Sequence, residues 1–430
     1  MVRLLPVRAW HPDPRKADPN SLVCPVYDTL SPEEESRFSH LPHNAARFVP
    51  RPHGMGLSPF LRAATENLRE AKRCGAFCQD PTAALYVYGI RYRPPSDVAE
   101  AIEPAQRRRE YLLLGVVGTL DLDRTGPDEV ALHERTFADR VHERVALADS
   151  TGMNFAPIMM GYNVADHRLN DRIEDFLGLD RRLLAFDSSV PPVVTANLNG
   201  TSHLLWRLDE PEAVRSVQRE LEGTRLLVLD GHHRFTAARR RHDDGRRTMP
   251  LVMLVEGGDR ALQLLPWHRV LDGSVAAPER VVRAIDRVYP QRKALGPSLT
   301  ASDAIARLHE MTSHHRRGFL LSTSDTAYEI PGPSSTDVGA DFDLLHAFLE
   351  KQLHLDPHRM EFVRSPRHAL EGAAGSCETP AGTAFLLPGL TEKGVEERAF
   401  GMGQLMAHKS TMFLPKVAEG VIFAPAGGTV

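Results

Sequence analysis

A chain of 430 residues can bury a large core and has room for two or three domains. Its 42% hydrophobic and 25% charged residues are ordinary for a globular protein and exclude general disorder. A formal charge of −4 gives no overall attraction for nucleic acid or an anionic membrane, so neither is expected as a partner.

The opening MVRLLPVRAWHPDPRK lacks the apolar stretch of a signal peptide, and no run approaches membrane-spanning length. A soluble, cytoplasmic protein is expected. Cys24, Cys74, Cys78 and Cys377 read as scattered reduced thiols. The spacing of Cys74 and Cys78 allows a shared helix face, but two thiols do not make a zinc site.

Three regions are expected, a mixed 1–109, an α/β core over 110–272 and a further α/β region over 273–430. In the first, Ser31-Pro32-Glu33-Glu34-Glu35 has an N-cap, a proline at N1 and an acidic first turn. Ala84 to Tyr88 and Tyr111 to Leu122 read as two strands of a hairpin with a long loop. In the core, Phe137, Val141 and Val145 recur at a spacing of four, which predicts a helix from Leu132 to Ser150 stopped near Gly152. Pro157 to Met160, His203 to Leu208, Leu226 to Leu229 and Pro250 to Val255 read as strands, and Phe235 to Asp244 as a helix stopped by Gly245. Farther on, Ser302 to Met311, capped by Ser302, and Phe342 to Leu353 are helical in pattern, while 318–321 and 384–387 are strands. This alternation predicts a mixed α/β fold.

The strongest chemical signal is Leu226-Leu227-Val228-Leu229-Asp230-Gly231-His232-His233-Arg234, an apolar strand running through a tight turn into a helix. Gly231 permits the turn and the close approach of a ligand. Free amides at a helix start, with its positive dipole end, form a phosphate seat. Arg234 is expected to add a bidentate clamp, and His232 and His233 to donate to phosphate oxygens. Asp230 stands at the carboxyl end of its strand, where it could hold a metal or orient a histidine. The plainer reading makes Asp230 a helix cap and leaves the histidines in solvent.

D-G-H-H-R after an apolar strand resembles the nucleotide-binding box of the ParB/sulfiredoxin superfamily, and most of all that of the archaeal ADP-dependent free serine kinases and of a large uncharacterised bacterial family. His133-Glu134, followed by Phe155-Ala156-Pro157-Ile158-Met159, is similar to the kinases' H-E and their later aromatic-x-Pro strand. The resemblance implies a ParB/sulfiredoxin-like nucleotide-binding core with N-terminal and C-terminal embellishments. It also implies transfer of a phosphoryl group from ADP or ATP, with Mg2+, to the hydroxyl of serine or a similar small amino acid. Glu134 would be the base, with Asp230 and His233 also catalytic. Gly231, His232, His233 and Arg234 would bind the nucleotide phosphates, and His133 would contact the substrate. Chemistry alone supports Glu134, because an attacking hydroxyl must lose its proton to a group within hydrogen-bond reach. The plain alternative is an acidic residue in a helix's first turn, serving only the dipole.

A second constellation is His408-Lys409-Ser410-Thr411-Met412-Phe413-Leu414-Pro415-Lys416, which holds two of only seven lysines. It resembles the bacterial family's K-S-T-x-F-x-P-K run. Lys409, Ser410 and Thr411 are expected to bind substrate and to fold over the pocket that holds Glu134 and Arg234. It is not a P-loop, since His408 occupies the place of the second glycine. Trp267-His268-Arg269 either lines the pocket or ends a strand. Arg239-Arg240-Arg241 reads as a solvated helix face, and His314-His315 lack further ligands at zinc spacing. Two other classes use the same residues, a non-catalytic nucleotide switch of ParB type and a metal-dependent hydrolase.

Overall fold

Two apolar runs set the frame of this computed structural model, which describes residues 2–27, 29–49, 51–100, 102, 109–163, 168–181, 186–356, 359–376 and 379–428. Asp28 and Cys377, noted in the sequence, lie outside the described residues. Leu85–Tyr92 and Tyr111–Leu120 form the expected hairpin, with Tyr86 opposite Val117 and Tyr92 opposite Tyr111. All of Tyr111–Leu120 is buried, as a strand covered on both faces must be. Leu112, Leu114 and Val116 enter one hydrophobic core, while Leu113 and Val117 enter the other. The period of two of a strand divides one run between two layers.

The sheet grows on both sides of this hairpin. Its order is 194–198, 201–208, 85–92, 111–120, 251–256, 158–162, 226–230 and 130–131, with Leu4–Leu5 paired to 111–120 off that path. A second, antiparallel sheet runs 293–296, 327–331, 318–322, 383–386, 268–271 and 361–363. The fold is mixed α/β. The last part of the chain returns to the first sheet's side: Thr411–Leu414 pairs with Gln263–Pro266, Ala418–Glu419 with Cys24–Pro25, and Ala424–Pro425 with Met153–Asn154.

Several local expectations change. The helix expected from Leu132 begins only at Ala138 and ends at Thr151, with Gly152 left-handed as its cap. The preceding main chain is taken by another partner: Met406 N–H donates to the His133 carbonyl (2.7 Å) and Arg135 N–H to the Met406 carbonyl (3.1 Å). Thr300, not Ser302, caps the helix Ala301–Ser313. Cys74 and Cys78 do not share a helix, because Leu57–Arg73 ends at Cys74 and Gly75 turns the chain at φ 78° into the strand Phe77–Gln79. Arg241 is buried against Asp149 (2.9 Å) rather than solvated. Ser31 does cap Pro32–Ser39 in a full capping box with Glu34. Among the described residues no helix is long and apolar enough to cross a membrane.

Three buried imidazoles make the fold acid-sensitive. His203 Nδ1 lies 2.9 Å from the Tyr88 hydroxyl, His268 Nδ1 accepts from the Leu387 amide (3.2 Å), and His346 Nε2 accepts from Arg269 (3.2 Å). Burial pushes them from 6.5 down to about 4, about 3 and about 3 respectively. The unfolded chain binds protons near pH 6.5 and the folded chain only well below it. Stability is therefore complete above that value and falls as the pH drops through the window, by about 1.4 kcal/mol per pH unit for each histidine. Denaturant unfolding at pH 7 and pH 5 should show a clear loss at pH 5; equal midpoints would contradict this account.

Candidate functional site

The strand Leu226–Asp230 pairs with Ile158–Tyr162, and its register slips by a residue between Val228 and Asp230. Such a bulge re-aims the side chain that follows it. Gly231 then turns at φ 93°, and the helix His232–Asp243 starts with no side-chain cap and no acidic residue in its first turn. The positive end of its dipole is at this turn, and Gly231 has no side chain to cap it. Arg234 does not point outward as a clamp. Its Nη1 donates to the carbonyls of Ala156 (3.1 Å) and Pro157 (2.9 Å), and its Nη2 to Asp230 (3.0 Å). The guanidinium braces the turn from beneath, and a Cβ at Gly231 would come within 2.9 Å of it. Gly231→Ala is expected to cost about 1–3 kcal/mol in unfolding free energy, because a left-handed backbone and this contact must both be accommodated. Denaturant titration checks this, and an unchanged midpoint would mean the turn relaxes freely.

Facing the turn, Glu134 is held by the chain's far end. Its Oε1 accepts from the amides of Ser410 (3.1 Å) and Thr411 (2.6 Å) and from the Thr411 hydroxyl. Glu134 itself lines the cleft. The Thr411 hydroxyl, its one proton given to Glu134, must accept from His133 Nε2 at 2.7 Å. His133 Nδ1 lies 3.3 Å from His232 Nε2, and the His133 ring also bonds the Val228 carbonyl. These tautomers are assigned from the hydrogen-bond network. Burial pushes both imidazoles down, His232 well below its ordinary range with neighbouring His133, His233, Lys416 and Lys409 adding to the effect. His133 and His232 are therefore neutral members of a relay that orients the Glu134 carboxylate.

The third side is cationic. Lys416 Nζ donates to Asp230 Oδ1, so both carboxylate oxygens of Asp230 face cations. Lys409, at φ 53°, holds its ammonium 5.4 Å from the Trp267 ring centre. A non-glycine residue in that region is the kind of strain that gathers at working sites. Phe137 stacks on His408 (4.1 Å, 5° between planes), and its amide donates to His233 Nε2 at 3.1 Å. Behind this wall, fully buried Arg269 donates to the Trp267 carbonyl (2.6 Å) and the His408 carbonyl (3.1 Å), tying the two loops together.

These groups line one open cleft. It brings together Glu134, Gly231, His232, His233, Arg234, Lys409, Thr411 and Asp230, while His133 and Ser410 stand behind it, buried. Lys416, Trp267, Phe137 and His408 join them; scarcity of lysine was the signal that could have marked Lys416 from the sequence. No cluster of three or more His, Cys, Asp or Glu side chains among the described residues could hold a metal. With both Asp230 oxygens on cations, a protein-built magnesium site does not fit this arrangement.

Residues 4–345 match the model of a family described as a protein of unknown function (DUF1015), and the chain belongs to that family. No curated protein matches it. Among solved structures, a free serine kinase variant in complex with AMP is 12% identical with a TM-score of 0.39, over 71% of this chain and 92% of that one. A conserved hypothetical protein from Pyrococcus furiosus is 13% identical (TM-score 0.36, 70% and 93% covered). SbnI from Staphylococcus aureus, truncated at its C-terminus, is 12% identical (TM-score 0.36, 69% and 82%).

Proposed function

We propose that this member of the DUF1015 family is a phosphotransferase that moves a phosphoryl group from ADP or ATP to the hydroxyl of a small amino acid, serine first. One observation carries the reading: a carboxylate anchored through one oxygen lines the same cleft as a helix start that has a glycine at its N-cap and no acidic residue in its first turn. That combination joins an aimed proton acceptor to a phosphate seat. The core would be ParB/sulfiredoxin-like over 110–272, with 273–430 supplying the opposite wall.

In this reading the terminal phosphate sits on the leading amides of the 232–243 helix. Lys416 turns an N–H donor from Asp230 toward that phosphate, and Lys409 approaches from the Trp267 side. His233 borders the phosphate, while Arg234 acts as a positioning residue. The acceptor hydroxyl gives its proton to Glu134 Oε2 as its oxygen bonds to phosphorus and the bond to the nucleotide breaks. Magnesium would arrive on the nucleotide phosphates with its own waters, neutralising charge there.

The test is to incubate the protein with ADP or ATP, magnesium and serine and to analyse the small molecules by mass spectrometry. Phosphoserine is the expected product. Nucleotide binding with no phosphorylated amino acid from any hydroxy acceptor would instead favour a non-catalytic switch.

A further inference from the structure

A long groove opens from the Lys416 side of the cleft. Val26, Thr29, Trp267 and Lys416 line both spaces, so the two are continuous. The groove runs between the strand Thr201–Leu208 of the first sheet and Glu361–Val363, the edge strand of the second. Tyr92, Leu198, Phe362, Met412 and Leu414 give it apolar walls. Its guanidiniums are paired: Arg93 stands 3.9 Å from Glu110, and Arg364 donates to Asp97.

One buried polar side chain on this groove has a hydrogen-bonding position to spare. His203 lines the groove and is only 2% exposed. Its Nδ1 lies 2.9 Å from the Tyr88 hydroxyl, and that hydroxyl accepts from the Ala418 amide at 3.1 Å. No other acceptor among the described residues takes the phenolic proton, so it goes to Nδ1. Burial keeps the ring neutral, pushed down to about 4, and its own proton is then on Nε2. That N–H has no protein partner among the described residues, and a buried donor left so is costly until something accepts from it.

The main chain sets the separation from the cleft. Lys416, which contacts Asp230, is two residues from Ala418, whose amide holds Tyr88 and through it His203. Two residues span at most roughly 7 Å. His203 therefore stands about a nucleoside's length from Lys416.

We propose that this groove holds the adenine of the ADP or ATP donor, with His203 Nε2–H donating to a ring nitrogen of the base. The inference rests on the nucleotide-binding part of the function proposed above. Adenine suits the position because its ring nitrogens accept without carrying charge, which matches a neutral donor between apolar walls. An amino-acid carboxylate would call for a cation at this point instead. Trp267 and Phe362 are partly exposed aromatic rings on which a base can stack.

Calorimetry with ADP and with inorganic pyrophosphate separates the base from the phosphates. In a folded His203→Leu protein, ADP should bind about 3- to 10-fold more weakly, the worth of one neutral hydrogen bond, with pyrophosphate affinity unchanged. An unchanged ADP affinity, or an equal loss for both ligands, overturns the proposal. Photolabelling the unaltered chain with 8-azido-ADP needs no variant. Tandem mass spectrometry should find the adduct on Trp267 or within 198–203, 361–363 or 412–417. An adduct only outside these segments overturns the proposal whatever His203→Leu does. His203-dependent ADP binding without phosphoserine would remove the proposed transfer and leave the base site standing. No ADP binding by the unaltered chain would overturn both.

Discussion

Glu134→Gln should lower turnover by about two to four orders of magnitude while leaving nucleotide affinity close to that of the unaltered chain, the usual worth of a general base. The substitution is nearly isosteric. A glutamine carbonyl oxygen can still accept from the Ser410 and Thr411 amides and from the Thr411 hydroxyl, so the wall they form is preserved. What changes is the other terminal atom, which becomes an amide nitrogen unable to take a proton. Steady-state rates paired with calorimetric titration of the nucleotide separate the two effects. Turnover within a few-fold of the unaltered chain would show that Glu134 serves only to fasten the 410–411 segment.

Lys416→Met should weaken nucleotide binding by about 1.5–3 kcal/mol, the range of a hydrogen bond to a charged group. Without nucleotide, Lys416 is committed to Asp230, which Arg234 contacts from the other side. A phosphate on the adjacent helix start offers the ammonium a second anion. Methionine removes that attraction and leaves the Asp230 charge nearer to the phosphate, so both consequences act in the same direction. Calorimetry with ADP and ATP measures the change. Equal affinities would mean that Lys416 stays with Asp230 throughout and belongs to the scaffold.

The parts of this site that are contiguous in the chain were legible as sequence. The strand, Gly231 and the helix from His232 form one uninterrupted segment, so periodicity and a single glycine suffice to find the strand–turn–helix proposed as the phosphate seat. Pairings across long separations were not legible in the same way. The neighbours of Glu134 lie 276 and 277 residues away, and no local pattern says that two amides will claim one carboxylate oxygen. The same main-chain pairing to Met406 cancels the first turn that the spacing of Phe137, Val141 and Val145 predicts. Arg234 misled for a different reason. Its position marks the box, but its direction depends on two carbonyls at 156–157 that compete with any ligand for its donors. Asp230 likewise could hold a metal or orient a histidine by its position, until Lys416, 186 residues away, is brought to it.

The most direct measurement is a crystal structure of the Glu134→Gln protein with nucleotide and serine bound. The account predicts the terminal phosphate on the amides that begin the 232–243 helix, with Lys416 reaching it. It also predicts the serine hydroxyl within about 2.6–3.2 Å of the residue-134 terminal atom that faces the cleft, the distance a proton acceptor needs. A nucleotide seated elsewhere, or a serine hydroxyl turned away from residue 134, would contradict the account.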